Sequence, residues 1–142
     1  MSLIRAIGRR LALAALFVFA LSFSVVRSDE LADFHAAVEQ ATADYRAARA
    51  TLETSSQADT AAAVNRFRQV WQSLNDRFGT HRPAAFADDE EFVTTFMLVD
   101  MRLIGVLLTI DMGNRDAARD GLAPIEQTLA QLRARSMPAQ PQ

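Results

Sequence analysis

From residue 29 to residue 135 the apolar residues recur at steps of three and four, the spacing that places them on one side of an α-helix. Leu31, Phe34, Val38, Ala41, Tyr45 and Leu52 form one stripe, on a helix that Ser28 or Asp29 can cap and that ends near Thr54. After a break at Thr54-Ser55-Ser56, residues Val64, Phe67, Trp71, Leu74 and Phe78 form a second stripe, the cleanest amphipathic signal in the chain. Gly79 to Ala87, with Pro83 inside it, predicts a loop whose Phe86 tucks under the end of the helices. Asn114 is a good N-cap for a last helix with the stripe Ala118, Leu122, Ile125, Leu129 and Leu132. Pro124 inside that helix predicts a kink, eased by Gly121. No alternating strand pattern, repeat or low-complexity tract is present.

The stretch Asp88 to Gly113 behaves differently. It reads as a helix of about seven turns, started by Asp88 with Glu91 in a capping-box arrangement and ended by Gly113. Phe92, Phe96, Val99, Leu103, Val106 and Ile110 form one stripe; Val93, Met97, Ile104 and Leu108 form another beside it. Only a narrow polar remainder is left, so the helix is expected to touch two or more neighbours and to hide most of its circumference. Asp100 and Asp111 fall inside that broad apolar arc. A carboxylate there is costly without a partner.

Four helices joined by short connections predict an all-α, antiparallel up-down-up-down four-helix bundle over residues 29–135, followed by a disordered tail over 136–142. In that layout the first and third helices run one way, the second and fourth the other. Arg68 then stands level with Asp100, and Arg49 level with Asp111. Two buried ion pairs, Arg68–Asp100 and Arg49–Asp111, are expected.

Residues 1–28 change the picture of where the chain works. Arg5, Arg9 and Arg10 precede an uninterrupted apolar run, Leu11 to Leu21, and smaller residues follow as far as Ser28. This is the order of a secretory signal peptide. The alternative is an uncleaved anchor through residues 4–26, although Leu11 to Val26 spans only about 24 Å as a helix against a hydrocarbon core of about 30 Å. Either way the basic end stays inside and the remainder is exported, which in a bacterium means the periplasm. All fifteen basic residues are arginine, and four of them precede residue 29, while all seventeen acids follow it. A domain that acidic is a poor match for nucleic acid.

Candidate chemistry is sparse. The chain has no cysteine and no lysine, which excludes disulfides, thiolate metal sites, covalent haem and a lysine nucleophile. No nucleophile elbow, phosphate loop, HExxH or dinucleotide fingerprint occurs, so an enzyme is not expected. The same level argument puts His35 near Met97. A histidine with a thioether could hold copper or a non-covalent haem. The other metal readings are a buried Asp100 or Asp111 carboxylate serving a metal or proton site and a divalent cation at Asp88 to Glu91. His81 is expected at the surface, and the acids Asp88 to Glu91 are expected to answer the helix dipole.

An exported leader followed by a four-helix bundle of this size resembles the periplasmic cytochrome c′ and cytochrome b562 group over residues 29–135. The likeness is of length, export and helix order. It implies the fold only, because the chain lacks the CxxCH motif and its last helix has no histidine. The expectation is therefore a haem-free periplasmic binding or accessory protein with no cofactor. Its partner would be an unidentified protein of the periplasm or inner membrane, or a second copy of itself. The alternatives are a metal- or haem-binding bundle through His35 and Met97, and a single-span accessory subunit of a membrane complex.

Overall fold

The computed structural model describes residues 29–138; residues 1–28, where a signal peptide or anchor is expected, and residues 139–142 of the expected tail lie outside the described part. Those residues form four helices and no strand. Residues 29–54 are helical throughout and are called α1. They are followed by α2 (Gln57–Phe78), a single 3-10 turn (Ala84–Phe86), α3 (Phe92–Asp111) and α4 (Arg115–Ser136).

The stripes read from α1, α2 and α4 are the buried faces. Phe34, Val38, Ala41, Tyr45, Leu52, Val64, Phe67, Trp71, Leu74 and the whole α4 stripe are buried in one core. Contacts between helices pair rising residue numbers on one with falling numbers on the next. The Phe34 ring meets Phe78 at 5.0 Å while that of Tyr45 meets Phe67 at 5.6 Å. Between α2 and α3, Trp71 Nε1 donates to the Phe96 carbonyl at 3.1 Å and Gln57 Nε2 to that of Asp111 at 2.8 Å. Between α1 and α4, Arg119 reaches Glu53 and His35 reaches Ser136.

One end of the bundle is closed by aromatic rings. Phe86 is fully buried and packs against Phe34 at 5.1 Å and Phe92 at 4.9 Å. Burying a side chain of this size is worth about 1.5–3 kcal/mol, enough to hold the whole connection between α2 and α3 against the bundle. This explains why α3 begins at Phe92 and not at Asp88. The chain must first deliver Phe86 into the core, so Asp88 lies in a turn and caps nothing. The working acid is Asp89. Its Oδ1 accepts the Glu91 N–H at 3.0 Å, and its other oxygen accepts from Arg135 Nη1 at 2.6 Å. Arg135 also stacks over Phe86, 4.4 Å from the ring centre. The Arg135 guanidinium holds the Asp89 carboxyl below the usual carboxylate range, helped by the Glu91 amide and by the charge of Arg82 against the opposing effect of burial.

The other end of α3 is closed by Gly113, whose φ of 73° is in the left-handed region that glycine occupies without a Cβ clash. The Asn114 amide then reaches back to the Thr109 carbonyl, and the Asn114 side chain caps α4 by accepting from Ala117 N–H. Gly121 has a packing role beyond easing a bend at Pro124. A Cβ built on it would lie 2.7 Å from Val106 Cγ2, so α4 approaches α3 more closely there than any side chain permits. Ser136, placed in the tail by its sequence, is the buried last residue of α4.

Candidate interaction surface

The core face of α3 is one stripe only. Phe92, Phe96, Val99, Leu103, Val106 and Ile110 are buried, whereas the expected second stripe is not. Val93, Met97, Ile104 and Leu108 are exposed, as are Leu98, Met101 and Met112. Their exposures run from 42% to 74%, which is high for large apolar side chains on one helix. The expectation that α3 hides most of its circumference is thus corrected. The helix is long and apolar enough by composition to cross a bilayer, yet only 28% of that window is buried.

The reason is visible on the neighbouring helices. Each of α1, α2 and α4 supplies a single stripe, and all of these converge on the same core. Among the described residues none is left over to cover the far side of α3. At 100° per residue, Met97, Met101 and Leu108 stand on the side of α3 opposite Leu103. A helix apolar all round is normally surrounded; this one is surrounded on one side only.

The two aspartates follow from the same geometry. With the core face centred on Phe92, Leu103 and Ile110, Asp100 and Asp111 stand about 80° and 100° away from it. Asp100 is at the margin, half-buried, and there it meets Arg68. Arg68 Nε donates to Asp100 Oδ1 at 2.8 Å and Nη2 to Oδ2 at 3.2 Å, a two-pronged pair joined by Gln72. Hydrogen bonding to this carboxylate raises the Arg68 pKa further above its ordinary range, against a smaller opposing effect of burial. Asp111 is exposed, and the expected Arg49–Asp111 pair does not form. Arg49 sits on the α1/α4 margin and pairs with Glu126. Equal height in a bundle does not bring two residues together unless they also share a groove.

The same distinction separates His35 from Met97. His35 Nδ1 lies 2.8 Å from Ser136 Oγ, in the groove between α1 and α4, beside Glu39, which is paired with Arg133. Met97 is on the outward face of α3, beside a groove of about 400 Å³ shared with Trp71 and Asp76 of α2. The proposed metal pair is not assembled. Among the described residues no three histidine or acidic side chains come close enough to share a metal ion.

A larger groove, about 500 Å³, runs between α1 and α4 and is lined by Tyr45, Arg46, Leu129, Arg133 and Met137. Tyr45 is its deepest polar group. Its hydroxyl donates to the Leu122 carbonyl at 3.0 Å, in the turn of α4 next to Pro124. Burial pushes the Tyr45 pKa up, assisted by the Glu126 charge and opposed by Arg49. Nothing in this groove departs from ordinary structural satisfaction of polar groups. The outward face of α3 is the surface that the fold leaves unexplained.

Apolar spacing does not tell a core face from an uncovered one, because it does not show which neighbouring helices can cover it. A signal was available in the spacing. Thr94, Leu98, Met101, Gly105, Leu108 and Met112 follow one another at steps of four, three, four, three and four. That is a second helix-packing seam, separate from the core stripe.

Compared with protein-family models, with curated proteins and with solved structures, the chain matches none.

Proposed function

We propose that this chain is an exported, haem-free accessory protein that acts by binding, and that the outward face of α3 is its contact surface. The domain works as an up-down-up-down bundle in which α1, α2 and α4 hold α3 in place and present its second apolar side. The single observation that carries this reading is the row of seven large apolar side chains exposed along α3 and its C-cap, Met112. Such a row costs solubility and contributes nothing to the core, so it is expected only where something covers it. Export to the periplasm rests on the basic-apolar-polar order of residues 1–28. Binding in place of catalysis is favoured by the nature of the face, which carries thioethers, aliphatic carbons and the hydroxyl of Thr94, with no base or ligand set beside it.

Site-specific photocrosslinking in the exporting cell tests the reading. A photoreactive residue at Met101 should give discrete protein adducts, whereas the same residue at Arg66, on the solvent side of α2, should give none. Equal labelling at both positions, or none at Met101, would remove the face from consideration. Intact mass of the isolated protein tests the export half of the reading: a chain starting near Asp29 has lost its leader, and a chain starting at Met1 has kept it as an anchor.

A further inference from the structure

We propose that the outward face of α3 pairs with the same face of a second copy of this chain, the two α3 helices antiparallel and centred at the level of Leu103. The inference rests on the reading of this face as a contact surface and names its occupant.

Size comes first. Seven side chains, each 42–74% exposed, offer on the order of 700 Å² of apolar surface. That exceeds the roughly 300–600 Å² of the largest patch on a typical monomer. A facing α3 covers Leu98, Met101, Leu108 and Met112 directly, while Val93, Met97 and Ile104 stand about 60–100° to one side. Reaching the roughly 800 Å² per partner of a standard interface therefore requires the flank of the second bundle as well.

Spacing argues for a helix as the partner. The seam Thr94, Leu98, Met101, Gly105, Leu108 and Met112 advances at an average of about 3.5 residues, the repeat that keeps two packed helices in register. A bilayer surface requires no such seam. It also attracts helices edged with basic residues, whereas this face has exposed Asp88, Glu90 and Glu91 at one end and exposed Asp111 at the other, against one exposed arginine, Arg102, on its flank.

The order of side chains along the seam argues for the second copy. Residues equally far from Leu103 on either side are Thr94 and Met112, Leu98 and Leu108, Met101 and Gly105. An antiparallel pair about that level sets each of these against its counterpart, twice by symmetry. A short residue then always faces a long one, and two leucines face each other. The space for Met101 already exists, because a Cβ at Gly105 would meet nothing within 4 Å. A parallel pair would set Gly105 on Gly105 and Met101 on Met101, leaving a gap in one layer and crowding in the next.

The charges give the proposal a distinctive sign. Antiparallel copies bring the Glu91 end of one helix toward the Asp111 end of the other, so like charges oppose association at the rims. Association should therefore strengthen as salt is raised. A partner helix with basic ends would show the reverse.

The absence of cysteine makes the register directly testable. Sedimentation equilibrium of the isolated protein should show a monomer–dimer equilibrium that tightens with salt. Met101→Glu, at a position exposed in the monomer, should keep the helical circular dichroism and weaken dimerisation at least about 30-fold, as loss of a central contact does. Under mild oxidation the double variant Leu98→Cys with Leu108→Cys should form intermolecular disulfides. Either substitution alone should not, because identical positions would lie about 15 Å apart along the seam. A monomer at every concentration and salt, a dimer unaffected by Met101→Glu, or cross-linking of the single variants would overturn the proposal. So would a monomer that floats with anionic phosphatidylglycerol vesicles through Met101. A monomer whose Met101 still crosslinks to a different protein in the cell would refute the second copy and leave the contact surface standing.

Discussion

Two glycines inside helices should respond to the same substitution with opposite signs. At Gly121, alanine brings a methyl carbon to 2.7 Å from Val106 Cγ2 and 3.9 Å from Val106 Cβ. Carbons in comfortable contact sit about 3.5–4.0 Å apart, so one of the two must give by roughly 0.8 Å. Val106 is buried and β-branched, and its χ1 is confined to one well in a helix, so the side chain cannot swing aside. The adjustment has to come from the spacing of α3 and α4. Overpacking of this kind costs about 1–3 kcal/mol, while replacing a helical glycine by alanine returns about 1 kcal/mol. Gly121→Ala should thus destabilise by about 1 kcal/mol. At Gly105, where the added carbon meets nothing within 4 Å, only the propensity gain remains. The monomer should become more stable by up to about 1 kcal/mol. Trp71, buried and the only tryptophan, gives a fluorescence readout for urea unfolding at low protein concentration. The decisive control is Val106→Ala, which removes the colliding methyl groups. In that background Gly121→Ala should turn stabilising, for a coupling of about 2 kcal/mol. If Gly121→Ala has the same effect with and without Val106, the two residues are not in contact and the packing of α3 against α4 described above is wrong.

Three further outcomes follow. Leu103→Ala should cost about 3–5 kcal/mol, as a fully buried leucine does, whereas Leu98→Ala, at a position 56% exposed, should cost less than about 0.5 kcal/mol in dilute solution; the urea midpoints of the two variants measure the contrast. Because the folded-state pKa of Asp89 is lowered, its pairing with Arg135 stabilises the fold above the ordinary aspartate pKa of about 3.9 and is lost as pH falls through the folded value. Asp89→Asn should remove that part of the acid dependence, an effect no larger than about 1 kcal/mol because Arg135 is half-exposed, and thermal melts between pH 3 and pH 6 would detect it. Tyr45 has a raised pKa, so its contribution is complete below the ordinary tyrosine value of about 10 and is lost as pH rises through the folded value; Tyr45→Phe should flatten the alkaline limb of the stability profile while costing about 1 kcal/mol at neutral pH through the lost bond to the Leu122 carbonyl.

Much of the fold was legible because α1, α2 and α4 are each apolar on one side only. For such a helix the direction of the core can be read from the sequence without knowing its neighbours. The positions of Phe34, Trp71 and Leu129 follow from spacing alone. On α3 that inference fails, because a helix apolar on two sides does not say which side faces the core. The ambiguity displaced the presumed centre of its buried arc and drew Asp111 into the interior, where it is not. Arg68 and Asp100 meet because adjacent helices α2 and α3 share a groove as well as a height. Arg49 and His35 lie in the α1/α4 groove, so their height against Asp111 and Met97 had no consequence. The connection between α2 and α3 was the least legible segment. Its course is set by one ring, Phe86, and by Arg135, which is 46 residues from Asp89 in sequence. No local rule links the two.

If the outward side of α3 is a contact surface, it is bare among the described residues of a single chain and covered when a partner is bound. Thiol labelling of a Met101→Cys variant across a dilution series tests it most directly, since no native cysteine competes. Labelling should be as fast as that of a free thiol at high dilution and should slow at least tenfold as concentration and salt rise. Slow labelling at every dilution would mean that the chain covers this face by itself, and α3 would then offer no contact surface.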